Sequence, residues 1–401
     1  MKLFALPVGS LMQPLARFRS TLPKGLRRTL VPFIISRLIM VLIFTAVPLV
    51  ARVPIEQWAR DDNITIKLNA EAVSNGLSGV ALANDAGWYI SIAKTGYEHR
   101  PFDTTKQANW AFFPLHPILW MAAATTTGEW VWSGMLLSNL LALAGLSLLW
   151  HLTSKLTSSD KAADGAVLFA CFWPTSYFMS LPQTEALFFA MTTLAYLAAR
   201  SQRWWLAGFA GMLSSATRFN GLFLLPALFL AWWRGERRVA DLIKLAPIVL
   251  GTLAFMAYLW ATTGNPTAFK DIQITWGREP TAPWVALLDY LHRPLKVAVP
   301  WNPKMLHFVM VAIGFCSAVT CWRKGWRDLA VFTLLTLLAP LSTGTLISIT
   351  RYLGVAPGVY VALAVWTEQR PRLGQLLIAF FALSMGLLCT LFAAGINIGG
   401  A

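Results

Sequence analysis

Long apolar runs alternate with short polar segments along most of this chain. A transmembrane α-helix needs about 20 apolar residues. Apolar runs of about this length, and some shorter ones, occur throughout the sequence. The predicted spans are 31–52, 131–151, 162–181, 183–200, 204–217, 220–234, 239–262, 306–322, 328–348, 352–367 and 374–397. The pattern predicts an all-α, polytopic membrane protein, a helical bundle of about 11 spans with one re-entrant segment.

Two apolar segments, 111–126 and 204–217, are shorter than an ordinary span. If both crossed the membrane, basic clusters that follow them would move to the outer side, so one of the two should dip in and return. A re-entrant 111–126 places every basic cluster on the cytoplasmic side. A re-entrant 204–217 misplaces only a few scattered basic residues, namely Lys155, Lys161, Arg200 and Arg203. Both versions stay open, and in both the loops 53–110 and 263–305 share the outer face.

Composition agrees with the hydropathy pattern. Hydrophobic residues make up 56% of the chain and charged residues 13%, whereas soluble domains carry about 25% charged residues. The mean hydropathy is +0.56. The sequence divides into a basic cytoplasmic segment, 1–30, and a single transmembrane domain, 31–401. Its four cysteines lie in or beside apolar runs and are interpreted as packing residues.

The formal net charge of +15 is carried by short basic clusters between apolar runs, which is typical of cytoplasmic loops. A nucleic-acid-binding protein would gather this charge on one polar domain or stripe, and the chain has no such domain. The charge therefore indicates membrane topology and argues against a nucleic-acid partner. The clusters contain Arg17, Arg19, Lys24, Arg27, Arg28, Arg234, Arg237, Arg238, Lys244, Arg323, Lys324, Arg327, Arg370 and Arg372.

One polar run in the first outer loop stands out, because only 18 acidic residues occur in 401. Asp85 lies between Asn84 and a run of small and aromatic residues that includes Trp88 and Tyr89. The apolar spacing predicts a helix that starts near Asn84, with Asp85 in its first turn. Asp85 is then either a helix cap or a catalytic carboxylate at the membrane surface.

Three more charged residues lie within or at the ends of spans, where charges are costly and often functional: Glu185, Arg218 and Arg351. Structural explanations remain open for each, as a helix-start charge, an ion pair and an interfacial side chain respectively. Together with Asp85 they form two acids and two arginines that one face can reach. Such a set suits transfer chemistry, with a carboxylate as general base and arginines that hold a phosphate.

The histidines have no spacing typical of a metal site, so we expect no metal and no cofactor. His116, between Pro114 and Pro117 where a segment enters the membrane, is the one histidine whose function merits a test.

Six blocks in order resemble the GPI mannosyltransferase 2 family. NDAGWYISIAKTGY at 84–97 resembles its W-D-x-x-W-Y-x-x-I-A-x-x-G-Y, and AFFPLHP at 111–117 its A-F-F-P-L-Y-P. QTEALF at 183–188 resembles Y-T-E-S-L-F, ATRFNG at 216–221 resembles A-T-R-x-N-G, and RYL at 351–353 resembles its late R-Y-L. Gly264-Asn265-Pro266 with Phe269 and Trp276 is similar to its G-D-P…F…W. Asn84, Gln183 and His116 depart from the family's Trp, Tyr and Tyr.

The resemblance implies a glycosyltransferase C bundle with its active site on the non-cytoplasmic face. Such enzymes take a sugar, usually mannose, from a polyprenyl-phosphate carrier and invert the anomeric centre. The resemblance casts Asp85 as the catalytic base. The remaining candidates are assigned to the donor phosphate (Arg218, Arg351, Asn220 and Tyr352) and to substrate binding (Glu185, Trp88, Tyr89 and His116).

The expected partners are a polyprenyl-phosphate-linked sugar donor, a lipid or glycan acceptor and the surrounding membrane lipids. The short loops favour a prokaryotic plasma membrane over the endoplasmic reticulum. Two other hypotheses remain: a transporter or flippase of an amphiphilic lipid-linked substrate, and a membrane scaffold without catalysis. Replacement of Asp85 by Asn separates them, because only the transferase requires this carboxylate.

Overall fold

The apolar runs fold into helices that pack around small and aromatic side chains. The computed structural model describes residues 22–51, 69–235, 238–292, 304–344, 346 and 348–396. Within these ranges no β-strand is present. Most of the predicted basic N-terminal segment, Arg237, the last residue of each of the predicted spans 31–52 and 374–397, and the parts 53–68 and 293–303 of the two predicted outer loops lie outside the described residues.

The helices are α1 (Lys24–Ala51), α2 (Ala70–Ala81), α3 (Asp85–Thr95), α4 (Leu115–Thr127), α5 (Trp130–Thr157), α6 (Asp160–Cys171), α7 (Glu185–Arg200), α8 (Trp204–Thr217), α9 (Leu224–Trp233), α10 (Val239–Ile243), α11 (Pro247–Thr263), α12 (Ala268–Asp271), α13 (Val285–His292), α14 (Lys304–Arg323), α15 (Arg327–Leu341), α16 (Ile349–Leu353), α17 (Pro357–Glu368) and α18 (Pro371–Ala393). Short 3-10 turns lie at Asn109–Ala111, Ser176–Met179, Phe219–Phe223 and Ile272–Trp276.

Several of these helices have the length and apolar character of a membrane span. In the described part of the chain, five segments qualify: Lys24–Ala51, Trp130–Thr157, Val239–Thr263, Leu306–Arg323 and Pro371–Ala393. Large apolar side chains such as Leu42 and Leu383 are exposed on the outer helices, as expected of surfaces that face lipid. The structure confirms the predicted multi-pass helical membrane protein.

Several predicted spans are interrupted or shortened in the structure: 239–262 is divided between α10 and α11, and 328–348 is helical only as far as Leu341. Two further interruptions occur in 162–181 and 352–367. The run 162–181 is helical only as far as Cys171, and the run 352–367 is broken between α16 and α17. Proline explains both interruptions: Pro174 disfavours helical geometry at Trp173, and Pro357 starts α17 at its first turn. These breaks do not show in the hydropathy of the two runs, because a single proline changes the mean hydropathy little. Because the broken helices end inside the bundle, polar backbone and side chains meet at membrane depth.

The basic clusters gather at one end of the bundle, which we call the basic end. Contacts within this end join Lys24 to Asp160, Arg28 to Asp164, Lys155 to Ser201, Lys161 to the Glu368 carbonyl, Arg200 to Asp328 and Arg234 to the Gly325 carbonyl. The positive-inside rule predicts that this end faces the cytoplasm. The basic end includes Lys155, Lys161 and Arg200, which a re-entrant 204–217 would have placed on the outer side.

The structure distinguishes the two short segments. Helix α8 starts next to Arg203 at the basic end and finishes at Arg218 on the opposite side, so 204–217 crosses. Helix α4 covers only the first turns of α5, where the Trp120 indole donates to the Trp130 carbonyl at 2.7 Å and a Cβ on Gly134 would meet the Trp120 ring. This packing favours 111–126 as the re-entrant segment, the first of the two predicted alternatives.

The segments that follow α3 and α11 pack against each other at the end opposite the basic end. The Phe102 amide donates to the Thr263 carbonyl at 2.9 Å, and a buried cluster includes Trp110, Phe113, Phe255 and Phe269. Outside the membrane-spanning segments, hydrogen bonds from the side chain and backbone of Thr105 lower the pKa of Asp103. The packing between the segments after α3 and α11 fixes the C-terminal end of α3, and thereby the position of its first residue, Asp85.

Candidate active site

Arg351 lies at the centre of a buried polar network. Its Nη1 donates to Asp85 Oδ2 at 2.6 Å, its Nη2 donates to Gln183 Oε1 at 2.6 Å, and its Nε donates to Glu185 Oε1. The Arg351 side chain is 7% exposed and the Glu185 side chain 2%. Removing one partner of a buried ion pair leaves an uncompensated charge and strongly destabilises the folded protein, so these groups hold one another in place. The burial of Arg351 argues against the interfacial explanation for this residue.

Arg218 joins the same network from the other side of Glu185. Its Nη2 also donates to Glu185 Oε1, and its Nε donates to Thr184 Oγ1 at 2.6 Å. Arg218 Nη1 makes no hydrogen bond within the described part of the chain, and the side chain is 16% exposed. Glu185 thus bridges two guanidinium groups, and Arg218 keeps a terminal nitrogen, Nη1, that no described residue binds.

Asp85 is the most accessible member of the network. Its side chain is 33% exposed, and its second oxygen, Oδ1, makes no hydrogen bond to the described residues. The carboxylate is therefore oriented through Oδ2 while Oδ1 stays available. Asp85 is the first residue of α3 and does not act as the helix cap, since Asn84 takes the cap position without a side-chain hydrogen bond.

The backbone before Asp85 has an unusual conformation. Asn84 has φ 56° and ψ −128°, a combination that residues other than Gly rarely adopt. Asn tolerates positive φ better than most residues. Sparsely populated backbone conformations tend to occur at functional sites, where the surroundings hold them. The turn at Asn84 directs the start of α3 toward Arg351.

Arg351 and Arg218 are each fixed by local packing. The Thr350 carbonyl accepts from the Trp173 indole at 2.8 Å, and the Thr350 hydroxyl lies 2.8 Å from His307 Nδ1, so the short helix α16 cannot rotate freely. After α8, the 3-10 turn folds back so closely that a Cβ on Gly221 would overlap the backbone of Ser215. Glycine at 221 therefore lets the turn pack against α8, which sets the direction of Arg218.

An aromatic surface lies beside Asp85. Trp88 stacks on Phe112 with ring centroids 5.7 Å apart and meets the edge of Trp276 at 6.1 Å. Phe112 also packs edge-on against Tyr89 at 5.2 Å. Trp88 comes from the first outer loop and Trp276 from the second, as expected for loops that share a face. The Tyr89 hydroxyl lies 3.4 Å from Thr184 Oγ1, so Tyr89 connects this surface to the charged network.

The remaining predicted residues are less central. His116 is fully buried behind Tyr89, with ring centroids 5.5 Å apart, so protein encloses its ring. The Tyr352 ring centroid lies 5.9 Å from the Arg218 guanidinium. Asn220 lies in the adjacent 3-10 turn, and its side chain makes no hydrogen bond to the described residues.

Four residues that hold or support the arginines were not predicted from the sequence. Gln183 and Thr184 each accept a hydrogen bond from one arginine. The Phe178 ring centroid lies 4.3 Å from the Arg351 guanidinium carbon, and Arg37 in α1 donates to the Ser176 carbonyl at 3.2 Å in the same turn. An arginine inside an apolar run was a signal for Arg37, because such charges are rare in spans.

No protein-family model matches this chain, and no curated protein matches its sequence. The solved structure of ArnT from Cupriavidus metallidurans, bound to undecaprenyl phosphate, is similar with a TM-score of 0.51 and 14% sequence identity. The alignment covers 81% of this chain and 76% of the ArnT chain.

This chain has the glycosyltransferase C fold. The likeness to ArnT extends over most of both chains, and at this level of identity it concerns the fold. The oligosaccharyltransferase of Archaeoglobus fulgidus in its apo form is a weaker match, with a TM-score of 0.44 and 12% identity over 90% of this chain and 56% of that chain. That TM-score is too low to support any argument. The resemblance to the GPI mannosyltransferase 2 family stays a resemblance.

Proposed function

We propose that this chain is a membrane glycosyltransferase that moves a hexose from a polyprenyl-phosphate donor to a lipid or glycan acceptor, with Asp85 as the catalytic base. One observation carries the proposal: Asp85 is held by Arg351 through one oxygen while the other is open, and Glu185 links Arg351 to Arg218. A base and a phosphate-binding cation therefore lie within one rigid network.

Arg218 is the residue best placed to hold the donor phosphate. Its Nη1 is unused by the described protein groups, and guanidinium–phosphate hydrogen bonds are among the strongest polar contacts. Tyr352 and Asn220 lie beside it and add a hydroxyl and an amide. The bound phosphate of ArnT, on the same fold, supports a lipid-phosphate ligand in this class of structure.

Arg351 acts through Asp85 in this proposal. Its Nη1, Nη2 and Nε are already engaged with Asp85, Gln183 and Glu185. It therefore serves as a positioning residue that fixes the carboxylate and adds positive charge beneath the site. The sequence-based expectation that Arg351 also contacts the phosphate directly stays a prediction.

The transfer step follows from these positions. Asp85 Oδ1 takes the proton of the acceptor hydroxyl as that oxygen attacks the anomeric carbon. The bond between that carbon and the phosphate oxygen breaks, and its electron pair leaves with the polyprenyl phosphate. Arg218 stabilises the charge that develops on the leaving phosphate, which is the main way an enzyme lowers such a barrier. Attack from the face opposite the phosphate inverts the anomeric centre, and no step needs a metal.

The aromatic surface of Trp88, Phe112 and Trp276 is proposed to bind the sugar rings, because flat aromatic faces pack well against the apolar faces of carbohydrates. Tyr89 connects this surface to Thr184 and would orient the sugar relative to the phosphate. We propose mannose as the transferred hexose, on the family resemblance of the blocks at 84–97 and 216–221. His116 would affect binding indirectly, since it supports Tyr89 from behind.

The site lies at the end of the bundle opposite the basic end, and we propose that it faces the non-cytoplasmic side of a prokaryotic plasma membrane. This orientation would present the charged network to a lipid-linked donor in the outer leaflet.

Radiolabelled polyprenyl-phosphate-mannose tests the function. The purified protein is reconstituted in vesicles with this donor and a panel of lipid and glycan acceptors, next to Asp85→Asn. A labelled acceptor formed by the wild type and absent with Asp85→Asn supports transfer. Label that stays on the carrier but crosses the bilayer would instead support a flippase, and label that neither moves nor transfers would contradict the proposal.

A second donor tests separately whether the transferred hexose is mannose. The same vesicles receive polyprenyl-phosphate-glucose in place of the mannosyl donor. Transfer from the glucosyl donor alone would retain the glycosyltransferase and overturn mannose.

A further inference from the structure

A charged cavity lies at the basic end, on the side of the bundle away from the network of Asp85. Its volume is about 460 Å³, within the range of ligand-binding pockets. It is formed where α7, α9 and α15 meet, and Arg200, Arg234, Arg327 and Asp328 supply its charges. None of these residues takes part in the proposed transfer.

The charges in this cavity do not cancel. Asp328 is buried and paired with Arg200. Arg234 donates to the Gly325 carbonyl at 2.9 Å, and the Arg327 guanidinium lies 4.9 Å from the Trp322 ring centroid. Neither Arg234 nor Arg327 forms an ion pair with a described residue. The cavity therefore has two guanidinium groups that pair with no carboxylate among the described residues, beside the ion pair of Arg200 and Asp328.

Two further features favour an anion with oxygen acceptors. Helix α15 starts at Arg327, so the positive end of a 15-residue helix points into the same region. Arginine binds phosphate oxygens through a planar fork, which makes two neighbouring guanidinium groups a suitable clamp for a phosphodiester.

The surroundings indicate a lipid source for this phosphate. Trp205, Trp233 and Trp322 are 63%, 48% and 49% exposed around this end, as tryptophans at the headgroup level of a membrane are. Leu230 supplies an apolar part of the cavity lining. Basic pockets between helices on the cytoplasmic side recognise anionic headgroups, and that leaflet is rich in anionic lipid.

We propose that this cavity binds the headgroup of an anionic phospholipid, with Arg234 and Arg327 on the phosphodiester. The site is independent of the proposed transfer chemistry. Its lipid would bridge α9 and α15 on the cytoplasmic side, so its loss should weaken the assembly of the bundle without touching Asp85.

Lipid retention by the intact protein tests this site. The wild type is purified with mixed lipid and examined by native mass spectrometry after exchange into equal amounts of phosphatidylcholine and phosphatidylglycerol. We expect retention of phosphatidylglycerol with about a tenfold preference. The double variant Arg234→Gln/Arg327→Gln should lose this preference. The matched control Arg323→Gln/Lys324→Gln removes the same charge at the same end but outside the cavity lining, and should keep it.

Three outcomes would overturn the proposal. Equal retention of both lipids by the wild type excludes an anionic headgroup, and this arm needs no variant to fold. An equal loss in the control variant would assign the preference to diffuse charge at this end. Displacement of the lipid by millimolar inorganic phosphate would make free phosphate the ligand. A thermal unfolding midpoint of the Arg234→Gln/Arg327→Gln protein that matches the wild type in pure phosphatidylcholine confirms that the lipid effect does not come from misfolding.

Discussion

Arg351 Nη1 lies 2.6 Å from Asp85 Oδ2, although 266 positions separate the two residues in the chain. This contact joins the first residue of α3 to the short helix α16 and closes the bundle around the candidate active site. Glu185 extends the contact to Arg218. Two acids and two arginines from four separate parts of the sequence therefore form one network with no net charge. A bound donor phosphate would add a negative charge to this network.

The first prediction concerns Glu185, which bridges the two guanidinium groups. Glu185→Gln keeps the shape but leaves two poorly compensated cations in a buried setting. We expect the free energy of unfolding to fall by about 3 kcal/mol or more, with loss of transfer activity. Thermal unfolding in detergent measures the change. Glu71→Gln, which neutralises an exposed acid in the first turn of α2, should unfold like the wild type. A Glu185→Gln protein as stable as that control would contradict the bridge.

The second prediction separates the roles of the two arginines. Arg218→Lys keeps the charge but loses the fork that holds the phosphate, so KM for the donor should rise about tenfold, with a smaller change in kcat. Arg351→Lys should mainly lower kcat, because Asp85 would lose its orientation while the phosphate contact remains. Steady-state kinetics with varied donor gives both values.

Arg278→Lys provides the control for this pair. Arg278 bonds Gln273 in the second outer loop, away from the charged network, and its replacement should change neither parameter. If Arg351→Lys raised the donor KM and left kcat intact, Arg351 would be a phosphate ligand and the proposed division of roles would be wrong.

The third prediction uses the backbone at Asn84. With φ at 56°, Asn84→Gly should retain activity, whereas the β-branched Asn84→Val should be less stable than Asn84→Gly by about 1–3 kcal/mol and much less active. Thermal unfolding and transfer assays on both variants measure this order. At Ser91, an exposed position inside α3, the order of stability should reverse, because Gly is the worse of the two in an ordinary helix. The same order at both positions would show that Asn84 is not strained.

Much of the fold follows from hydropathy and charge alone. Apolar runs long enough to cross a bilayer become the long helices α1, α5, α14 and α18. The positive-inside rule also predicts that the basic clusters lie at one end of the bundle. Hydropathy and charge could not decide whether 111–126 or 204–217 is the re-entrant segment, because both are short and apolar. That choice depends on packing, since Trp120 of α4 rests against the first turns of α5.

The charged residues of the site could be identified in the sequence because burying a charge in the membrane costs free energy. A carboxylate or guanidinium at that depth therefore requires a partner or a ligand. Which partner each one takes could not be predicted, because the pairs come from distant parts of the chain. Gln183 illustrates the limit. In sequence it is a departure from the family's Tyr, and in the structure it accepts a hydrogen bond from Arg351. A polar residue two positions before Glu185 gives no sign of this role in the sequence, because only the fold brings Arg351 beside it.

The most direct test of the account is a comparison of donor binding and sugar transfer for Asp85→Asn. Asn keeps an oxygen that can accept from Arg351 but cannot take a proton from the acceptor. We predict donor binding within about twofold of the wild type, measured with labelled polyprenyl-phosphate-mannose in vesicles, and a single-turnover transfer rate reduced at least about 100-fold. Transfer by Asp85→Asn at the wild-type rate, with donor bound equally well, would contradict the assignment of Asp85 as the base.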